Sequence, residues 1–172
     1  AAEAVATIQQ VYSRPVMPDL AAERVATAKH LGARIAVSVT PASARKLATV
    51  AVEAGADALV LQSTVTTAKH LSSRYESFSI RELCESLQVP VIVGNCVTYE
   101  AGLALMKEGV EGLLVGVGPG AACTTRRVLG LGVPQVTAIA DVAAAREDFL
   151  RESGKRVSVI ADGGMRTGGD IA

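Results

Sequence analysis

At 172 residues the chain is long enough for one domain with a real core and too short for two ordinary ones. Its 17 basic and 17 acidic side chains cancel, so no positive field argues for nucleic acid or an anionic membrane as partner. Nearly half the residues (49%) are apolar but only 3% are aromatic, so the core must be built from Ala, Val, Leu and Ile, as in helix-covered parallel sheets.

No apolar run reaches the roughly 20 residues of a spanning helix, and no signal-peptide pattern opens the chain, so a cytoplasmic protein is expected. Cys84, Cys96 and Cys123 are odd in number and widely spaced, which fits reduced thiols. His30 and His70 lie far apart without an H-x-x-x-H or C-x-x-C pattern, so both are expected at exposed helix ends rather than on a metal.

In chain order, Ala1 to Tyr12 reads as an Ala-rich helix, stopped by the two prolines of Ser13 to Pro18. Asp19 can cap a second helix running to His30, with Gly32 as its stop. Arg34 to Val39 reads as a strand, and Thr40-Pro41 starts a helix ending near Ala54 and Gly55. The same grammar repeats: strand Ala58 to Leu61, polar loop Gln62 to Thr67, helix Phe78 to Leu87, strand Val89 to Val93, and helix Thr98 to Lys107 with Gly109 behind it. Leu113 to Val115 is the next strand, Ala138 to Arg151 a long helix, Val157 to Ala161 the last strand, and a further helix begins at the C-terminus.

Strands alternating with helices predict a parallel sheet, which a (β/α)8 barrel and a doubly wound sheet both satisfy. The placement of unusual residues decides between them. Thr40, Gln62, Asn95, Cys123 and Asp162 all follow strand ends, as the active rim of a TIM barrel requires.

Between Glu111 and Arg127 the sequence E-G-L-L-V-G-V-G-P-G-A-A-C-T-T-R-R passes from a strand into a Gly-rich loop and delivers one cysteine, two threonines and two arginines. Such a loop exposes backbone donors and acceptors, and the arginines favour a thiolate at Cys123. A second constellation, Ile160-Ala161-Asp162-Gly163-Gly164, puts a carboxylate beside two residues whose backbone can approach a phosphate closely. The loop is no Walker motif, since no Gly-Lys-Ser/Thr follows the glycines.

V-G-V-G-P-G-x-x-C-T-T-R, together with Gly94-Asn95 and the A-D-G-G stretch, resembles the IMP dehydrogenase and GMP reductase family. The resemblance implies a (β/α)8 barrel of which strands three to seven, five of eight units, are present, residues 33–172 forming this partial catalytic barrel behind an N-terminal helical segment, 1–32. It implies Cys123 as the nucleophile that adds to purine C2, and Thr125 as the hydroxyl that positions the leaving group or the attacking water. It assigns the nucleotide (IMP, GMP or XMP) to Asn95, Gly120, Ala121, Asp162, Gly163 and Gly164, a nicotinamide cofactor, NAD or NADP, to Asn95, Gly116 and Thr125, and a potassium ion to Gly118, Gly120 and Cys123. A homotetramer or octamer would follow. Cys96 is expected as a spare thiol on the same rim.

Three positions depart from the family. Gln62-Ser63-Thr64-Val65-Thr66 replaces an acidic D-T-A-H-G-like loop that meets the cofactor, Leu114 stands where Lys or Arg is common, and Ala121 replaces a phosphate-contacting serine. They place the chain nearest a divergent, IMP dehydrogenase-related branch. IMP dehydrogenase-like activity is the first reading, with GMP reduction second. A flavin-binding barrel is disfavoured by the scarcity of aromatics, and a catalytically silent nucleotide-binding regulator remains the alternative of another class.

Overall fold

The computed structural model describes residues 2–70 and 78–172. Five parallel strands, β1 (Ala36–Val39), β2 (Ala58–Gln62), β5 (Val91–Cys96), β6 (Gly112–Val115) and β7 (Ser158–Ala161), stand in that order in one sheet. Helices α3 (Pro41–Glu53), α4 (Ile80–Ser86), α5 (Tyr99–Met106) and α7 (Gln135–Ser153) link successive strands, an arc of a (β/α)8 barrel. Helices α1 (Ala2–Tyr12) and α2 (Pro18–His30) precede β1, and α1 buries none of its residues.

Alternation along each strand sorts the two faces. Leu59, Leu61, Val91, Val93, Leu113 and Val115 are buried against Ala44 and Ala48 of α3, Leu105 and Met106 of α5, and Ala138, Val142 and Ala145 of α7. The opposite face carries Val60, Ile92, Leu114 and Ile160, all half-buried, with Val60 paired to Ile92 and Leu114 to Ile160. Small residues let the helices close in: a Cβ on Gly102 of α5 would lie 3.1 Å from Val142 Cγ1 of α7. Tyr99 adds a polar tie, donating its hydroxyl to Asp148 at 2.7 Å.

Helix starts and stops follow local chemistry. Thr40 and Ser43 form a reciprocal capping box ahead of α3, and Ser79 and Thr98 accept from N3 amides of α4 and α5. Gly32, Gly55 and Gly109, the expected stops, all carry positive φ. Asp19 does not cap α2; the helix begins one residue earlier at Pro18, leaving the carboxylate in the first turn. At the far end of the sheet Asp57 accepts from Lys29 at 2.8 Å and from the Ile35 N–H at 2.7 Å, and these donors hold its carboxyl below the usual range.

Several boundaries differ from the sequence expectation. Phe78 does not open a helix, because Phe78–Ser79 forms β4, paired antiparallel with β3 (Lys69–His70), and α4 begins at Ile80. His70 is therefore a strand residue, whereas His30 does end α2 exposed. A short helix, α6 (Thr125–Leu129), follows the cysteine, and the C-terminal helix is one 3-10 turn, Gly168–Asp170. Ala1 lies outside the described residues. Among the described residues no helix is long and apolar enough to cross a membrane.

Candidate active site

The site lies where the loops after β2, β5, β6 and β7 meet, around a cavity of about 450 Å3 lined by Gln62, Asn95, Cys123, Thr125, Asp162 and Gly163, among others. Of the nucleotide and catalytic candidates, Asn95, Gly120, Cys123, Thr125, Asp162 and Gly163 all reach it, as do Gly116 and Gly118. Ala121 does not line the cavity; it is exposed at the outer bend of the loop. Gly164 sits beside it, packed on Pro119.

The floor is made by strand β5, which runs past Val93 through Gly94 and Asn95 to Cys96. It extends because Gly94 has no side chain: a Cβ there would lie 2.5 Å from Leu114 Cβ and 2.6 Å from the Leu114 carbonyl oxygen. The register then slips between Gly94 and Cys96, a bulge that aims Asn95 into the site. Asn95 is 6% exposed and fully engaged as a donor, its Nδ2 bonding the Gly116 carbonyl at 2.8 Å and the Asp162 carboxylate at 2.7 Å. Its Oδ1 accepts from Gln62 Nε2 at 3.1 Å, and the same Gln62 nitrogen lies 3.3 Å from Asp162 Oδ2.

Gln62 thus offers Asp162 a neutral amide as its neighbour. A carboxylate in the same place would face a like charge about 3 Å away and would disfavour ionisation of the pair. Beneath it the buried Thr66 hydroxyl donates to the Gly94 carbonyl at 2.6 Å and meets Ser63 Oγ at 2.8 Å.

The wall carrying the thiol is built differently. Cys123 is exposed and its N–H bonds the Gly120 carbonyl at 3.1 Å, closing a tight turn. Its Sγ lies 3.3 Å from Thr125 Oγ1. The Thr125 hydroxyl, then the Thr125 N–H, then the charge of Arg126 hold the thiol below its ordinary pKa. Arg126 can lie there because two loop glycines make room: a Cβ on Gly132 would stand 2.4 Å from Arg126 Nε and one on Gly118 2.9 Å from Arg126 Cγ.

The other thiols are of a different kind. Cys96 is not on the rim: the bulge turns it to the helix side of the sheet, where it is 1% exposed in the core and burial pushes it up to about 11. Burial, then Glu111 and Glu108, raise Cys84 to about 11. Among the described residues no group of three or more His, Cys, Asp and Glu side chains could hold a metal.

The loop after β7 closes the site. Gly163 and Gly164 take positive φ and lie against Pro119, so the carboxylate loop and the cysteine loop pack directly on each other. Gly116 also demands the absence of a side chain, since a Cβ would stand 2.4 Å from the Asp162 carbonyl. Two contributors escape the sequence reading. Thr66 looks like a loop hydroxyl, and Gln135, whose Nε2 donates to the Val115 carbonyl at 2.7 Å, is marked only by its place behind Pro134 at the start of α7.

Comparison with known proteins bears on the fold and the family. A profile of the IMP dehydrogenase / GMP reductase domain matches residues 2–172. An uncharacterized oxidoreductase of Mycobacterium tuberculosis (strain H37Rv) is 40% identical over 171 residues, 98% of this chain and 46% of the relative. The inosine-5'-monophosphate dehydrogenase of Helicobacter pylori is 45% identical over 121 residues, 70% of this chain and 23% of that enzyme. The crystal structure of an IMP dehydrogenase/GMP reductase-like protein from Corynebacterium glutamicum superposes with a TM-score of 0.85 at 39% identity, covering 99% of this chain and 44% of that one. The chain spans about half the length of the curated relatives it matches along its whole extent, and its five strands are part of a TIM barrel. With its sequence matched end to end and its sheet superposed on theirs, the chain belongs to the IMP dehydrogenase / GMP reductase family.

Proposed function

We propose that the protein carrying this chain is a purine mononucleotide oxidoreductase that works through a covalent adduct on Cys123. One observation carries this reading: an exposed thiol held below its ordinary pKa opens onto the same cavity as a carboxylate followed by two glycines. Asp162, oriented by Asn95 and Gln62, accepts from ribose hydroxyls, and the backbone of Gly163 and Gly164, with Gly120 of the facing loop, cradles the phosphate. Ala121 offers the phosphate only its backbone.

In the dehydrogenase direction the Cys123 thiolate adds to C2 of IMP, and the hydride at C2 departs with its electron pair. Gln62, Ser63 and Thr64 would lie beside a bound nicotinamide, which would supply the acceptor for that hydride. Water then attacks C2, the C2–S bond breaks, and XMP is released with one proton as the Cys123 thiolate is regenerated. The Thr125 hydroxyl, within reach of Sγ, places that water. In the reductase direction ammonia leaves C2 of GMP and hydride arrives.

The residues on this rim leave the cofactor a neutral polar wall of Gln62, Ser63 and Thr64. Asn95 has no free N–H for it, so its part is to hold Gly116 and Asp162 in place. For a potassium ion the carbonyls of Gly118, Gly120 and Cys123 are available, that of Gly120 already accepting one bond, and the rest of its shell would come from elsewhere in an oligomer. Gln62, Leu114 and Ala121 favour the second reading, a nucleotide-binding regulator without turnover. Leu114 offers the inner face of the sheet a half-buried apolar side chain and no charge.

The test uses the full-length protein with IMP plus NAD, and separately GMP plus NADPH, beside Cys123→Ser. A change in reduced-nicotinamide absorbance that falls at least roughly a thousandfold in the variant is expected, and its sign gives the direction. Nucleotide binding with no absorbance change in either mixture would leave the regulator.

A further inference from the structure

The Val115 carbonyl is the point where three elements meet. It accepts the Asp162 N–H at 2.9 Å, which ties the carboxylate loop to the end of β6, and it accepts Gln135 Nε2 at 2.7 Å from the first residue of α7. The carbonyl is satisfied without Gln135. The second bond therefore fixes position rather than filling an empty acceptor.

The side chain sits there at a cost to itself. Gln135 Oε1 is buried with no partner in the structure, an arrangement an apolar side chain of the same size would avoid. Its amide is wedged between both ligand loops: Oε1 would stand 2.9 Å from a Cβ on Gly116, and Gln135 Cβ 3.4 Å from one on Gly164. One residue past Val115, the Gly116 carbonyl accepts Asn95, the side chain that also holds the Asp162 carboxylate.

We propose that Gln135 is a positioning residue for the nucleotide site: its amide locks the Val115 carbonyl, to which the Asp162 loop is bonded, and so sets the spacing between the cysteine loop and the carboxylate loop. The role rests on the purine nucleotide reading above, but its structural half can be tested without any nucleotide.

Gln135→Leu removes the donor at every pH. Gln135→Glu places a carboxylate against Val115 O at neutral pH and, once protonated, an O–H that can donate to the same oxygen. Amide hydrogen exchange of the segments 115–123 and 161–166 is measured in the full-length protein at pH 7.5 and pH 5.5, each variant against wild type at the same pH. Exchange about fivefold to tenfold faster is expected in Gln135→Leu at both pH values, and in Gln135→Glu only at pH 7.5. IMP affinity, by titration calorimetry, should fall and recover in the same pattern. Wild-type exchange in Gln135→Leu, or no acid recovery in Gln135→Glu, would overturn the proposal, and the acid arm still decides it if the leucine variant fails to fold. Failure of wild type to bind IMP would instead sink the nucleotide reading, with the exchange arm still judging Gln135.

Discussion

The floor and the wall of the cavity are built on opposite plans. Gln62, Asn95 and Asp162 sit on or just beyond three different strands and bond to one another, with Asn95 buried and both of its N–H donors spent on the protein. From Gly116 to Gly130 the wall is a loop with one short helix, and the cysteine it carries is exposed, its Sγ near the Thr125 hydroxyl and its N–H on the Gly120 carbonyl. The geometry around Asp162 is therefore set by the sheet, while the state of the Cys123 thiol is set by a few local donors. Stability and thiol chemistry should respond to different substitutions.

The sharpest way to break that contrast is a matched pair of glycine substitutions. Gly94→Ala puts a methyl 2.5 Å from Leu114 Cβ and 2.6 Å from its carbonyl oxygen, atoms of a neighbouring strand that cannot step aside without parting β5 from β6. A loss of about 3 kcal/mol in urea unfolding is expected. Gly120→Ala meets nothing nearer than Cys123 Cβ at 3.6 Å, so unfolding should change by no more than about 0.5 kcal/mol. Equal losses would show that the loop is as much a part of the core as the floor.

Asn95→Ala comes next. It strips a donor from the buried end of the Asp162 carboxylate and from the Gly116 carbonyl, and about 2 kcal/mol of stability should go with it. Asn95→Asp sharpens the point through pH. Two carboxylates at hydrogen-bond distance cannot both ionise easily, so the new aspartate's pKa is raised in the folded state. Relative to wild type at the same pH, the variant should be least destabilised at acid pH and fall further behind as pH rises, a difference that chemical denaturation at several pH values will reveal.

How far the sequence carried the reading follows the same division. The five sheet strands and the helices between them were legible because apolar strands alternate with capped helices, and the expected glycine stops all take positive φ. Strand β5 was cut short at Val93 because Gly-Asn reads locally as a turn. Only the approach of Leu114, a tertiary fact, makes glycine fit a strand there. The bulge that follows turns Cys96 to the helix side of the sheet, which no local pattern announces. Helix α6 was hidden in C-T-T-R-R, too short to show a period. The candidate residues can be named from sequence as a list, since polar residues at strand ends stand out. Their connections were not, because the Gln62, Asn95 and Asp162 triad and the Gln135 bond join segments far apart in sequence.

The smallest expected effect isolates the wall. The Thr125 hydroxyl is the leading cause of the lowered Cys123 pKa, ahead of the Thr125 N–H and Arg126. Thr125→Ala removes that donor and leaves the other two, whereas Thr125→Ser keeps all three. Iodoacetamide labelling, read by mass spectrometry of the Cys123 peptide, follows the thiolate. Removing a donor to the thiolate favours the thiol, so the labelling midpoint should move to higher pH in the alanine variant. It should label a few-fold more slowly than wild type on the acid side and converge with it on the alkaline side, with the serine variant tracking wild type. Cys84 and Cys96, both pushed up to about 11 by burial, serve as internal controls that stay unlabelled near neutrality in every variant. The urea midpoint should not move, because this bond joins residues two apart, from an exposed loop to the first residue of α6, and closes no part of the core. A fall in stability with an unchanged labelling midpoint would reverse the assignment, making Thr125 a structural residue of α6 and leaving Arg126 and the backbone to set the thiol.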